Sequence, residues 1–255
     1  MRDKVKAGLG AMATAAIRQA DYGRCIFVLA HMRCGSTALS NILCSRSDVS
    51  GYGETHVRHD SPTAPGRLVV NLALRRAWSP RADRLFDKIL HTRLDADPPS
   101  AFFSARAIFV VRPPDPTIRS IRRLFERLGR PHDYPTDEAA ARYYVDRLRH
   151  LCALWDGFPA GRRIGLTHSQ LLSDPDAALA RISARLAIAP PLENRYVSPV
   201  RSRIGGGGDP LASARHTRIE PAREARAEGP ADIDEALAAC AAEAYERLVD
   251  RFTLD

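Results

Sequence analysis

Between positions 25 and 39 the chain reads Cys-Ile-Phe-Val-Leu-Ala-His-Met-Arg-Cys-Gly-Ser-Thr-Ala-Leu. The run from Cys25 to Ala30 suits a buried strand, His31 to Gly35 a tight turn, and Ser36 opens a helix. A strand that passes through a glycine turn into a helix gathers free backbone N–H groups and the positive helix end at one point. Such a point binds anions, usually a phosphate. Gly35 lets the backbone approach the anion, and Ser36 and Thr37 add hydroxyl donors. The nucleoside-triphosphate loop GxxxxGK[ST] carries a lysine that reaches the terminal phosphates. Here Ser36 follows Gly35 directly and Arg33 is the cation of the turn. The loop therefore suits a phosphate but not ATP or GTP hydrolysis. Cys34, beside the helix end, reads as a small loop residue rather than a nucleophile.

A second anion element lies downstream. The apolar, β-branched run Ala107 to Val111 suits a buried parallel strand. Arg112 leaves its end, and Ser120, eight residues later, falls early in the next helix. Together they can hold another phosphate through charge-assisted contacts. Taken alone, the pair equally fits a surface arginine and an unrelated helix serine.

The elements around these residues alternate. After the first strand come a helix over 36–45, a short strand over 49–52, a helix over 62–78 and a strand over 85–91, where apolar and polar residues alternate. The strand over 107–111 follows, and then a helix with Asp115 as N-cap and Pro116 in its first turn. A helix over 138–158, a strand over 163–167 and helices over 176–186 and 233–252 complete the pattern. The stretch 190–229, rich in Pro, Gly and Arg, reads as irregular. Strands alternating with helices predict an α/β fold of three layers, a central parallel sheet flanked by helices. In such sheets ligands sit beyond the carboxyl ends of the strands. Four chemically informative segments end strands there: the phosphate turn, Glu54 after Tyr52, His91 after the strand holding Lys88, and Arg112.

Composition sets the bounds. The chain has 255 residues, 45% of them hydrophobic, and a formal net charge of +8. The cations are scattered, without the basic tract and interleaved aromatics of a nucleic-acid surface, so the expected partner is a small polyanion and not nucleic acid. Five cysteines without CxxC or zinc spacing suit reduced thiols, and a cytoplasmic location is expected. No run is long and apolar enough to span a membrane. The first twenty residues suit an amphipathic helix better than a signal peptide.

The residues resemble the sulfotransferases that use 3′-phosphoadenosine 5′-phosphosulfate (PAPS). The turn over 31–37 is similar to that family's 5′-phosphosulfate loop, with His31 for the usual proline and Ser36 for the first threonine. Arg112 and Ser120 resemble its 3′-phosphate element at the same offset. The segment from Ile204 through Gly205 to Pro210 resembles the Gly-Asp-Pro loop that closes over the nucleotide. The stretch over 167–175 resembles the Tyr-Glu-Asp-Leu…Asp-Pro element, with His168 where a tyrosine is common.

The resemblance implies a single domain over 1–255 with a P-loop NTPase-like sulfotransferase fold. An N-terminal helix would span 1–22 and a nucleotide-closing glycine-rich loop 200–219. It implies PAPS as co-substrate, 3′,5′-ADP as product and no metal. Arg33, Cys34, Gly35, Ser36 and Thr37 would hold the 5′-phosphate. Arg112 and Ser120 would hold the 3′-phosphate, with Arg203, Gly205, Gly206 and Gly207 closing over it. Lys88, 24 residues before Arg112, stands near the family's catalytic lysine. Glu54 stands where the tyrosylprotein branch has its catalytic glutamate, and His91 close to the catalytic histidine of the cytosolic branch. Either can serve as general base. The acceptor would be a small molecule such as a natural product, carbohydrate or lipid. Regions 55–78 and 129–144 would shape its pocket, with His56, His59, Trp78, Tyr134, Tyr143 and Tyr144 as possible lining. A P-loop small-molecule kinase and a non-catalytic nucleotide-binding scaffold are the alternatives.

Overall fold

A computed structural model describes residues 2–198, 216–221 and 229–253, with side chains from residue 8. Five strands form one parallel sheet: β1 (Cys25–Ala30), β2 (Val49–Ser50), β3 (Arg84–Ile89), β4 (Arg106–Val111) and β5 (Arg163–Thr167), in the order β2-β3-β1-β4-β5. The helices are α1 (Arg2–Ala16), α2 (Ser36–Cys44), α3 (Ala64–Leu74), α4 (Pro114–Arg127), α5 (Asp137–Trp155), α6 (His168–Ser173), α7 (Pro175–Arg185) and α8 (Glu235–Thr253).

Alternation along the strands sends side chains to two cores. Phe27, Leu29, Leu85, Ile89, Phe109 and Val111 pack with α3, α5 and α8 on one face. Ile26, Val28, Phe86, Ile108, Val110 and Leu166 pack with α2, α4 and α7 on the other. Covered on both faces, β1 buries all six residues, which is why it reads as an unbroken apolar run.

The same coverage encloses the two charges of β3, and Asp87 and Lys88 are only 1% and 2% exposed. In register, Asp87 lies beside Phe27 and Lys88 beside Val28, so the two charges leave opposite faces. Both must find partners in the protein.

Element ends differ from expectation where local chemistry competes. Helix α4 starts at Pro114, not after Asp115. The Asp115 carboxylate instead accepts a bond from the Ala231 N–H at 3.0 Å. Thr136 caps α5 and Asp174 caps α7. The one-turn helix α6 was not expected; it forms because Thr167 and Gln170 make a reciprocal capping box. Helix α1 ends at Ala16, short of position 22. It crosses α3 closely at two glycines: a Cβ on Gly66 would lie 1.9 Å from the Gly10 carbonyl oxygen.

Candidate active site

The strand order puts β1 between β3 and β4. The chain leaves β1 towards β2 and β3 on one side and reaches β4 and β5 on the other, which opens a crevice at the carboxyl ends of β1 and β4. A cleft of about 460 Å³ lies there, lined by Arg33, Gly35, Ser36, Thr37, Glu54, Lys88, His91 and Arg112. The four strand-end segments singled out in the sequence thus meet at one place.

The turn after β1 is held in left-handed backbone. Arg33 and Gly35 have φ of 65° and 86°. Gly35 is the N-cap of α2 and provides no side-chain cap, so the first N–H groups of the helix have no such acceptor. A Cβ on Gly35 would also sit 2.9 Å from Cδ2 of His168. Glycine is required there twice over, by φ and by space. The Cys34 side chain is fully buried and burial raises its pKa, so its thiol takes no part in the cleft.

The two anion elements touch. Arg33 Nε donates to Ser120 Oγ at 2.9 Å, and Arg112 Nη1 donates to the Arg33 carbonyl at 3.3 Å. His31 joins them from below. Its Nε2 accepts from the Arg112 N–H at 3.0 Å and its Nδ1 lies 2.8 Å from the Met32 carbonyl. Complete burial drives its pKa down to about 3, which keeps the ring neutral and able to accept. Where a proline would only stiffen the turn, His31 bonds it to β4.

On the far wall Lys88 Nζ lies 3.2 Å from Glu54 Oε1 and 3.2 Å from Thr37 Oγ1. An ammonium that the phosphate turn itself lacks therefore reaches it from β3. The loop carrying Glu54 is anchored at both ends of its path. The Lys88 N–H donates to the Gly53 carbonyl at 3.1 Å. The Asp87 carboxylate accepts from the Thr55 N–H at 2.9 Å, the Thr55 hydroxyl at 2.8 Å and His59 Nε2 at 3.0 Å. His59 is thus a core residue, not a pocket residue, whereas His56 does line the cleft. Replacing Asp87 by Asn turns an acceptor towards donors it no longer matches. Asp87→Asn is therefore expected to lower Tm by about 5 °C and to loosen the loop that carries Glu54, read by calorimetric melting.

Burial also holds His91 and His168 near pKa 4. For His91, Glu54 opposes the shift and Arg93 and Arg147 add to it; for His168, Arg112 adds to it. The cleft therefore presents Arg33, Lys88, Arg112 and Arg130 against one carboxylate, with His91 and His168 uncharged. His31, His91 and His168 take up protons near pH 6.5 only when the chain unfolds. Folded pKa values below the unfolded value mean that stability falls as pH drops from 6.5 towards 4, while His31 stays neutral to about 3. Urea-unfolding midpoints measured from pH 7 to 4 should fall, with an uptake of about three protons.

Sequence reasoning missed several parts. Arg147, 1% exposed, spans the strand ends: Nε donates to the Ala30 carbonyl at 3.0 Å and Nη2 to the Ile89 carbonyl at 2.8 Å, and the guanidinium grips both oxygens of Asp95 at 2.7 and 3.0 Å. Its signal was present, since 140, 144, 147 and 151 share one helical stripe and the other three are apolar. The expected tyrosine wall is partly structural. Tyr143 accepts from the Met32 N–H and donates to the Leu90 carbonyl, and Tyr144 donates to the Arg112 carbonyl. Trp78 bonds Gln19 elsewhere. The apolar wall is instead Leu90, Leu124, Phe125 and Leu128, with Tyr134 packed 4.7 Å behind Phe125. Arg203, Gly205, Gly206 and Gly207 lie outside the described residues. Tyr196 and His216, which flank the segment 199–215, both line the cleft.

Residues 69–191 match the model of the Sulfotransferase family, a span that holds Lys88, His91, Arg112 and Ser120 but begins after the phosphate turn. The matched segment is a little under half of the chain, and it is similar to that family over the part that carries β3 to β5.

Three solved structures are similar to it. The sulfotransferase domain of the Synechococcus PCC 7002 olefin synthase is 19% identical, with 87% of this chain and 94% of that one covered and a TM-score of 0.57. The sulfotransferase domain from the curacin biosynthetic pathway is 17% identical, with 89% and 96% covered and a TM-score of 0.56. A sulfotransferase from Alicyclobacillus acidocaldarius is 14% identical, with 90% and 96% covered and a TM-score of 0.51. At these identities the likeness speaks for the P-loop-like fold. No curated protein matches the chain significantly. Among the described residues no helix is long and apolar enough to cross a membrane.

Proposed function

We propose that the protein transfers the sulfuryl group of PAPS to a hydroxyl or amine of a small-molecule acceptor, a natural product, carbohydrate or lipid. The observation that carries this reading is the direct link of the two anion elements, Arg33 to Ser120 and Arg112 to Arg33, beside the Lys88–Glu54 pair. The residues suit a ligand with two separated phosphate groups. One group faces the N-terminus of α2 with Arg33, Ser36 and Thr37; the other faces Arg112 and Ser120. Four cations against one carboxylate favour a polyanion.

In this reading the protein works by positioning and by electrostatics, as in phosphoryl transfer. Glu54 takes the proton of the acceptor as its oxygen or nitrogen bonds to sulfur. Lys88 neutralises the charge that develops on the bridging oxygen as the old sulfur–oxygen bond breaks. In the resting site Lys88 is shared between Glu54 and Thr37. Its attraction to the leaving oxygen would free the carboxylate to act as base. His91, neutral and near Glu54, is the other group able to take this proton.

The test is incubation with PAPS and a panel of hydroxyl and amine acceptors, following 3′,5′-ADP. Acceptor-dependent release supports the reading. Stabilisation by ATP and magnesium but not by 3′,5′-ADP would replace it with the kinase reading. Normal 3′,5′-ADP binding without transfer to any acceptor would leave a nucleotide-binding scaffold.

A further inference from the structure

Beside the cleft lies a second cavity of about 670 Å³, lined by His56, Val57, Arg58, Arg67, Leu74 and Arg75 together with Asp60, Val70 and Asn71. His56 lines both volumes, so the second cavity adjoins the cleft two residues from Glu54. His56 itself is in left-handed backbone, φ 56°, with its side chain exposed at the junction. The reactive hydroxyl of an acceptor must lie near Glu54 and Lys88, and the rest of the acceptor needs space leading away from the phosphate elements.

The lining of this space has a distinct chemistry. Val57, Val70 and Leu74 supply apolar surface, with Leu74 74% exposed at the mouth of the cavity. Around it stand three guanidinium groups and a single carboxylate. Asp60 is shared between Arg58, at 3.1 Å, and Arg67. Arg75 lies over the Tyr52 ring at 5.4 Å and has no carboxylate partner among the described residues. Asn71 is already used, accepting from Tyr52 and donating to the Thr55 carbonyl. The cavity thus keeps two positive charges in excess, one of them on a planar fork fixed by stacking, a form suited to a carboxylate, sulfate or phosphate oxygen pair.

We propose that this cavity holds the distal part of the acceptor, and that the acceptor is an apolar body with an anionic group opposite its reactive hydroxyl. The inference rests on the function proposed above and narrows its substrate class. The probes are 6-hydroxy-2-naphthoate and 2-naphthol, titrated calorimetrically into the full chain saturated with 3′,5′-ADP. The naphthoate should bind at least about tenfold more tightly, one charge-assisted contact being worth that much. Arg75→Gln should remove the difference, with 2-naphthol and 3′,5′-ADP affinities unchanged, the latter also reporting that the variant is folded. Equal binding of the two probes, a preference that survives Arg75→Gln, or no binding of either to the loaded protein would overturn the inference. Failure of the wild-type chain to bind 3′,5′-ADP would instead strike the functional reading on which it stands.

Discussion

Arg112→Ala is expected to lower affinity for 3′,5′-ADP about 100-fold, the loss of a charge-assisted contact to a phosphate together with the support it gives the neighbouring loop. Arg112 stands where the two anion elements meet. Its guanidinium bonds the Arg33 carbonyl, and Arg33 in turn bonds Ser120. Removing it takes away a positive charge and loosens the turn that presents the other cation. The backbone side of the junction survives, because the Arg112 N–H still reaches His31. The variant should therefore fold normally. Ser120→Ala, which removes a neutral partner, should cost only about tenfold. Titration calorimetry with 3′,5′-ADP reads both. Equal losses in the two variants would mean that Arg112 acts through loop geometry alone.

The largest stability effect is expected at Arg147. Arg147→Ala removes one partner of a buried ion pair and leaves the Asp95 carboxylate beneath the site with His150 as its one remaining ionic partner among the described residues. Such a loss costs about 4 kcal/mol. In a domain of this size that is a drop in Tm of about 10 °C, seen by calorimetric melting. Burial alone would raise the Asp95 pKa, but Arg147 and His150 reverse this and hold it below the usual carboxylate value. A depressed carboxylate adds stability above its unfolded pKa of about 3.9 and loses it as pH falls through the folded value. The gap in Tm between wild type and Arg147→Ala should therefore narrow as pH falls, beginning above the unfolded value because burial raises the pKa of the orphaned carboxyl. The carbonyls of Ala30 and Ile89 also lose a donor, so nucleotide affinity should weaken along with stability.

Much of this architecture is written locally. The run Cys25 to Ala30 is apolar at every position because β1 is covered on both faces, and its bounds can be read directly. The glycine turn into α2, and Arg112 at the end of β4, are legible for the same reason: each combines a buried strand with a residue type that only the site requires. What escaped reading depends on contacts between distant segments. Asp87 and Lys88, on opposite faces of β3, are buried by the layers packed on both sides of the sheet, which the strand's own pattern does not announce. Arg147 stands in an apolar helical stripe, but its partner Asp95 comes from a distant loop that the stripe does not name. Phe125 and Leu128 fit a core stripe equally well; only the placement of α4 turns them to the cleft. His59 reads as a pocket group but is consumed by Asp87.

The Glu54 and His91 alternatives separate by pH profile. His91→Ala should leave the acidic limb of kcat in place if Glu54 takes the proton, and Glu54→Gln should abolish it. The reverse pattern would assign the proton to His91.

The central claim is that one crevice reads both phosphate groups of a doubly phosphorylated adenosine. Calorimetric titration of the wild-type chain with 3′,5′-ADP, 5′-AMP and ATP with magnesium addresses it directly. The account predicts that 3′,5′-ADP binds at least about 100-fold more tightly than either, because only it engages both anion elements. Comparable affinity for 5′-AMP, or preference for ATP with magnesium, would contradict it.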